Sequence, residues 1–165
     1  MNFDPNIPGY MEGEITSVVT GPSPWAGIGG MPNLVIDRSE PFTVAVDWEV
    51  HGLLKPLWLA ALADNWRVRV FAESLGGGPE VQIAEDTVPK SSEVACTAYG
   101  GPDPCGRFSA TLTVPANTLP EDAGAARSGV YKLVTTVFLN STLGEPGFDV
   151  IGFHEGPIIQ VENPV

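Results

Sequence analysis

The chain has 165 residues, 43% of them hydrophobic, and a formal net charge of -12 from twenty acidic and eight basic side chains. That length suits one domain with a core of its own and is too short for two. The eight Lys and Arg are scattered singly, so they cannot displace counterions along a phosphate backbone; nucleic acid is excluded as a partner, and anionic membrane surfaces are disfavoured.

Taken in chain order, MNFDPNIPGYMEGE carries Asp4, Pro5, Pro8 and Gly9 and no apolar run, so no secretory signal is expected. Residues 1–13 read as an N-terminal arm on a single domain of residues 14–165. EITSVVT (14–20) is a predicted strand, followed by a turn-rich loop at 21–33 that contains Trp25. PFTVAVDWEVHG alternates cleanly: Phe42, Val44, Val46, Trp48 and Val50 share one face, and Thr43, Ala45, Asp47 and Glu49 the other, as in a half-buried strand.

Between this strand and the next lies LLKPLWLAALADNW (53–66). Of the eleven residues from Leu53 to Ala63, nine are apolar and one is charged. A span needs about 20 helical residues, so this segment cannot cross a membrane. Pro56 suits a first helical turn, and Asn65 can take the left-handed conformation that ends one, which predicts a short connector helix near 56–64. It has no polar stripe, so the expectation is that it is covered, either by the end of its own domain or by another chain.

WRVRVFAES then alternates with Trp66, Val68, Val70 and Ala72 inward and Arg67, Arg69 and Glu73 outward. The turn at 76–80 leads into a return strand at 81–88. Cys96 and Cys105 flank eight residues that include two Gly and two Pro, and the expectation is a disulfide, with two free thiols as the alternative. A zinc site would want two more Cys or His, and His51 and His154 lack the sequence spacing. RFSATLTV (107–114) places Phe108, Ala110, Leu112 and Val114 on its core side. VYKLVTTVFLN (130–140) is apolar on both faces, which means a central strand or one covered by another subunit. FDVIGFHEG and PIIQVEN read as one strand broken near Gly152 or Gly156 and Pro157.

Nineteen Gly and sixteen Pro, about a fifth of the chain against roughly 12% in average usage, punctuate these runs singly. About seven to nine strands with such turns indicate an all-β fold, an antiparallel sandwich or a barrel. The segment ATLTVPANTLPEDAGAARSGVYKLVTTVFL resembles the stretch between the fifth and sixth strands of immunoglobulin-like and fibronectin type III-like sandwiches. The resemblance implies that fold and implies a corner role for Tyr131. The Cys pair flanking a Trp that marks true immunoglobulin domains is missing, and such folds host many functions.

Little in the sequence suggests chemistry. No G-x-S-x-G elbow accompanies His51 or His154. Asp47 and Glu49 form a carboxylate pair whose ordinary reading is a solvated face, paired across strands with Arg67 and Arg69. No calcium-loop pattern is present, and GIGG (27–30) and GGG (76–78) are not phosphate cradles. No catalytic residue, cofactor or metal is therefore assigned. The favoured reading is a non-enzymatic structural or assembly subunit. It self-associates into a homo-oligomer or larger assembly through its arm and an apolar interface of Leu54, Leu57, Trp58, Leu59, Leu62 and Phe138. The first alternative is a carbohydrate-binding module with Trp25 and Tyr99 as stacking faces, and the second a hydrolase with an unrecognised site. A disulfide implies an extracellular or other oxidising compartment, while the missing signal points the other way, so location stays open.

Overall fold

The computed structural model describes residues 3–21, 33–97, 104–121, 129–142 and 148–163. The strands are β1 (Phe3–Asp4), β2 (Glu12–Gly21), β3 (Val35–Asp37), β4 (Phe42–His51), β5 (Asn65–Ser74), β6 (Glu80–Pro89), β7 (Val94–Thr97), β8 (Pro104–Val114), β9 (Val130–Leu139) and β10 (Val150–Glu162). Helix α1 (Lys55–Ala60) connects β4 to β5. One sheet has the order β1-β10-β9-β5-β6, with β3 added parallel to β10; the other has the order β2-β4-β8-β7. The expected all-β antiparallel sandwich is what forms.

The topology is that of the immunoglobulin-like fold. Such sandwiches place strands A, B, E and D in one sheet and C, F and G in the other. Here β2-β4-β8-β7 traces the first arrangement and β10-β9-β5-β6 the second, with β6 as the extra strand beside C. The Tyr131 hydroxyl, at the start of β9, donates to the Pro120 carbonyl at 2.7 Å. This is the tyrosine corner that the resemblance implied. Leu133, two residues on and fully buried, stands where an antibody domain carries its second core cysteine.

In place of that covalent link the two sheets meet through aromatics. Trp48 and Phe108, on β4 and β8, stack with centroids 5.6 Å apart. Trp66, on β5 of the opposite sheet, meets Trp48 edge-on at 5.7 Å and Phe108 at 5.3 Å. Both indole N–H groups are buried without a hydrogen-bond partner. Each costs about 1–3 kcal/mol. Removing roughly 150–250 Å² of ring from water contributes about 4–6 kcal/mol per Trp, so burial wins.

Strand β9 is central, flanked by β10 and β5; its inward residues Tyr131, Leu133 and Val137 are buried in the core, while Val134 and Phe138 on its outer face are half-buried. The predicted break in the last strand is a register shift between Glu155 and Ile158 within the single strand β10. Among the described residues ten strands form where about seven to nine were expected, and the excess includes β1 and β3, two and three residues long. Both lie near the N-terminus and pair with β10. Phe3 is buried, its ring lying over Gly13 and Gly152, where a methyl group at either position would overlap it. Met11 is also fully buried.

The tyrosine corner makes the first prediction. Tyr131→Phe leaves the Pro120 carbonyl without its donor and is expected to cost about 1 kcal/mol. Chemical denaturation should show a lower midpoint at an unchanged slope.

Candidate functional site

Helix α1 is shorter than expected, ending at Ala60 rather than near residue 64. Its continuation is diverted: Leu62 forms a β-bridge with Ser141, and the Ala63 N–H donates to the Asn140 carbonyl at 2.8 Å. Backbone groups that would have extended the helix are satisfied by the chain just beyond β9. The end left behind is closed by Lys90, whose Nζ donates to the carbonyls of Leu59 at 2.6 Å and Leu62 at 2.9 Å. At the helix start the buried Lys55 pairs with Glu93 at 2.6 Å.

These tethers fix which way the helix faces. Lys55, Leu59 and Leu62, at helical spacing, are buried within the chain, whereas Leu54, Leu57, Trp58 and Ala61 lie on the other side. Leu59 and Leu62, expected at an interface, instead close the end of the sandwich and are 5% and 2% exposed. Leu57 is 72% exposed and Leu53 60%. Trp58 is half-buried: its ring centroid is 5.9 Å from that of Phe148, and its indole N–H donates to the Phe148 carbonyl at 3.1 Å. The expectation that the whole segment is covered therefore holds for one side only. On the other, Leu54, Leu57, Trp58, Ala61, Leu62 and Phe148 line an open cavity of about 260 Å³.

The N-terminal segment joins this surface. Residues Ile7 to Met11 form a tight turn, with the Tyr10 and Met11 N–H groups donating to the Ile7 carbonyl at 2.9 and 3.0 Å. The Leu53 N–H in turn donates to the Gly9 carbonyl at 3.1 Å, and the Leu54 N–H to the Tyr10 carbonyl at 2.8 Å. Ile7 and Tyr10, exposed, thus sit beside Leu53 and Leu54. The arm (1–13) and the apolar run were expected at the interface, but not Ile7, Tyr10 or Leu53 as the residues within them that face outward, and nothing local pointed to Phe148.

Phe138 is half-buried elsewhere, on the outer face of its sheet between Arg67 and Ile151. Trp25 and Tyr99 lie outside the described residues. Cys96 and Cys105 are bonded across β7 and β8, with Cα atoms 5.1 Å apart. His51, on β4, has Nε2 3.8 Å from the Glu12 carboxylate, while His154 lies on β10 in the other sheet.

The expected pairing of Asp47 and Glu49 with Arg67 and Arg69 does not form, because β4 and β5 belong to different sheets. Arg69 binds Glu85 across the β5–β6 hairpin at 2.6 Å, and Arg67 approaches the same carboxylate at 4.0 Å. Glu49 is not solvated either; it is 6% exposed and meets Arg107 at 3.4 Å.

No protein-family model matches the chain, and no curated protein matches it. Among solved structures it is similar to a bacterial adhesin from Mobiluncus mulieris that contains intramolecular disulfide, isopeptide and ester bond cross-links, at 12% identity and a TM-score of 0.42. The match covers 90% of this chain and 49% of the adhesin, so the chain spans about half of that structure. Among the described residues no helix is long and apolar enough to cross a membrane.

The Arg69 hydrogen bond holds the Glu85 carboxyl below its ordinary value of 4.5. A depressed carboxylate contributes stability above its unfolded-state pKa and loses it as pH falls through the folded one. In an NMR titration Glu85 is expected to titrate below 4.5, and Arg69→Gln to bring it back up towards that value.

Proposed function

We propose that the chain is a non-catalytic β-sandwich building block that associates with further copies of itself through the surface formed by α1 and the N-terminal turn. The observation that carries this reading is the continuity of that surface. Ile7, Tyr10, Leu53, Leu54, Leu57 and Phe148 are all exposed large apolar residues, from segments more than forty residues apart, joined by main-chain hydrogen bonds or a shared cavity. Singly exposed apolar residues are ordinary, but contiguous apolar patches on soluble chains mark contact sites. In this reading residues 1–13 act as an arm on a domain of residues 14–165. The buried Phe3 and Met11 anchor the arm, and Ile7 and Tyr10 face the partner. Leu59 and Leu62 support the interface from beneath. Phe138, with Ile151 and Phe153, offers a further apolar strip on the outer face of its sheet.

The patch residues are uncharged, so the contact itself asks for an apolar partner and not a charged one; two copies at -12 repel, and association is expected to tighten as salt is added. The disulfide favours an oxidising location. A carbohydrate reading gains nothing from the cavity, whose lining side chains offer a single indole N–H, already donated to Phe148, where a sugar site needs convergent polar groups.

Light scattering at micromolar concentration should give a mass of at least twice the monomer. Leu57→Glu places a charge on a side chain with no role in the core and is expected to return the mass to the monomer's while the chain stays folded, with an unchanged far-UV circular dichroism spectrum and a melting temperature lower only by what association contributes at that concentration. Trp58→Ala should weaken association and also cost some stability, since that ring packs on both sides. A wild-type chain that remains monomeric rules the proposal out.

A further inference from the structure

The outward face of the β2-β4-β8-β7 sheet holds a group of donors that the proposed assembly role does not use. Cys105 lies directly opposite Cys96 on one side and His51 on the other, so all three side chains leave the sheet on the same face. Glu49, two residues before His51, shares that face. The two Sγ atoms and one Glu49 carboxylate oxygen lie within 4.8 Å of one another. A tetrahedral zinc site with bonds of about 2.0–2.3 Å sets its ligand atoms roughly 3.3–3.8 Å apart, so after reduction the two sulfurs, about 2 Å apart while bonded, would have to part by nearly 2 Å, and the carboxylate oxygen to close in by about 1 Å at most.

Two further features are costly without such a role. Glu49 is a carboxylate only 6% exposed whose ion-pair partner, Arg107, is itself more than half exposed and 3.4 Å away. A buried charge so loosely held is expensive. His51 is mostly buried, and its Nδ1 has no hydrogen-bond partner. Its Nε2 lies 3.8 Å from the Glu12 carboxylate, beyond hydrogen-bond reach, and a small shift of either side chain would give the outer carboxylate that orients an imidazole whose other nitrogen ligates a metal.

We propose that, once its disulfide is reduced, the chain binds a thiophilic divalent cation of the zinc type through Cys96, Cys105 and Glu49, with His51 Nδ1 as the fourth ligand. A dithiol supplies the two electrons and two protons that convert the S–S bond to two thiols, closing to its own disulfide. The cation then displaces one proton from each thiol. Two thiolates and a carboxylate against a divalent cation leave one negative charge, which Arg107 offsets. Two sulfurs, one imidazole and one carboxylate suit zinc and cobalt and exclude calcium and magnesium, which take oxygen ligands. The oxidised and reduced chains would thus hold the same two strands together by different bonds.

The test uses the full chain, oxidised or reduced with a phosphine, titrated with Co²⁺ as the spectroscopic probe. The reduced chain is expected to bind one equivalent, with a thiolate-to-cobalt charge-transfer band and a rise in melting temperature, and the oxidised chain to show neither. Glu49→Gln and His51→Ala should each weaken binding about tenfold or more, while His154→Ala leaves it unchanged. Absence of the band in the reduced wild type would overturn the proposal. So would equal affinity in the Glu49 and His51 variants, or weakening by His154→Ala. A reduced chain whose strand circular dichroism is lost and is not restored by cobalt would sink it as well.

Discussion

The packing of Trp66 against Trp48 and Phe108 is the contact on which the rest of the structure depends. It joins the two sheets at their centre, where antibody domains use a disulfide, and it does so by area rather than by a covalent bond. Rings of this size cannot be replaced piecemeal, because a close-packed interior transmits any change in volume. The strand alternation of β4, β5 and β8 follows from the need to present these rings inward together. The tyrosine corner closes the β8–β9 connection towards the opposite end of β5 from Trp66, and the Cys96–Cys105 bond holds an edge, where it contributes about 2–3 kcal/mol by loop closure without bridging the sheets.

The connector helix shows how one apolar run serves two purposes. Its inward residues close the sandwich end, and its outward residues remain in water at a cost that a solitary domain would have no reason to bear. Two lysines make this division definite. Lys55 ties the start of the helix to Glu93, and Lys90 takes the carbonyls at its end, so α1 cannot roll to bury Leu57 without losing both. The exposure of Leu57 is therefore held by polar contacts at both ends of a short helix.

Much of the fold was legible because period-two alternation is a local signal: the inward residues of β4, β5 and β8 were all read from sequence, as were the corner at Tyr131 and the pairing of Cys96 with Cys105. What escaped the reading were relations across strands. β1 and β3 are too short to show a period, and their partner β10 lies more than a hundred residues away. The pairing of Arg69 with Asp47 or Glu49 presumes that β4 and β5 are neighbours in one sheet, whereas they lie in different sheets and the β5–β6 hairpin supplies Glu85. His51 and Cys105 are neighbours by register alone, with no spacing motif to announce them. The candidate surface was half legible. Apolar density marked the segment, but only the tethers at Lys55 and Lys90 decide which residues turn outward.

The pairing of β1 and β3 with β10 also governs when the fold can be completed. Phe3 and Ile36 meet their partners at Gly152 and Val161 only after the last strand exists. At synthesis rates of roughly 5–20 residues per second, Ile36 waits on the order of ten seconds for its neighbour. Throughout that interval the growing chain presents an unfinished sheet edge, while the Trp48–Trp66 contact can already form. Through β10, then, two short segments from the start of the domain are held to the sheet by a strand made more than a hundred residues later.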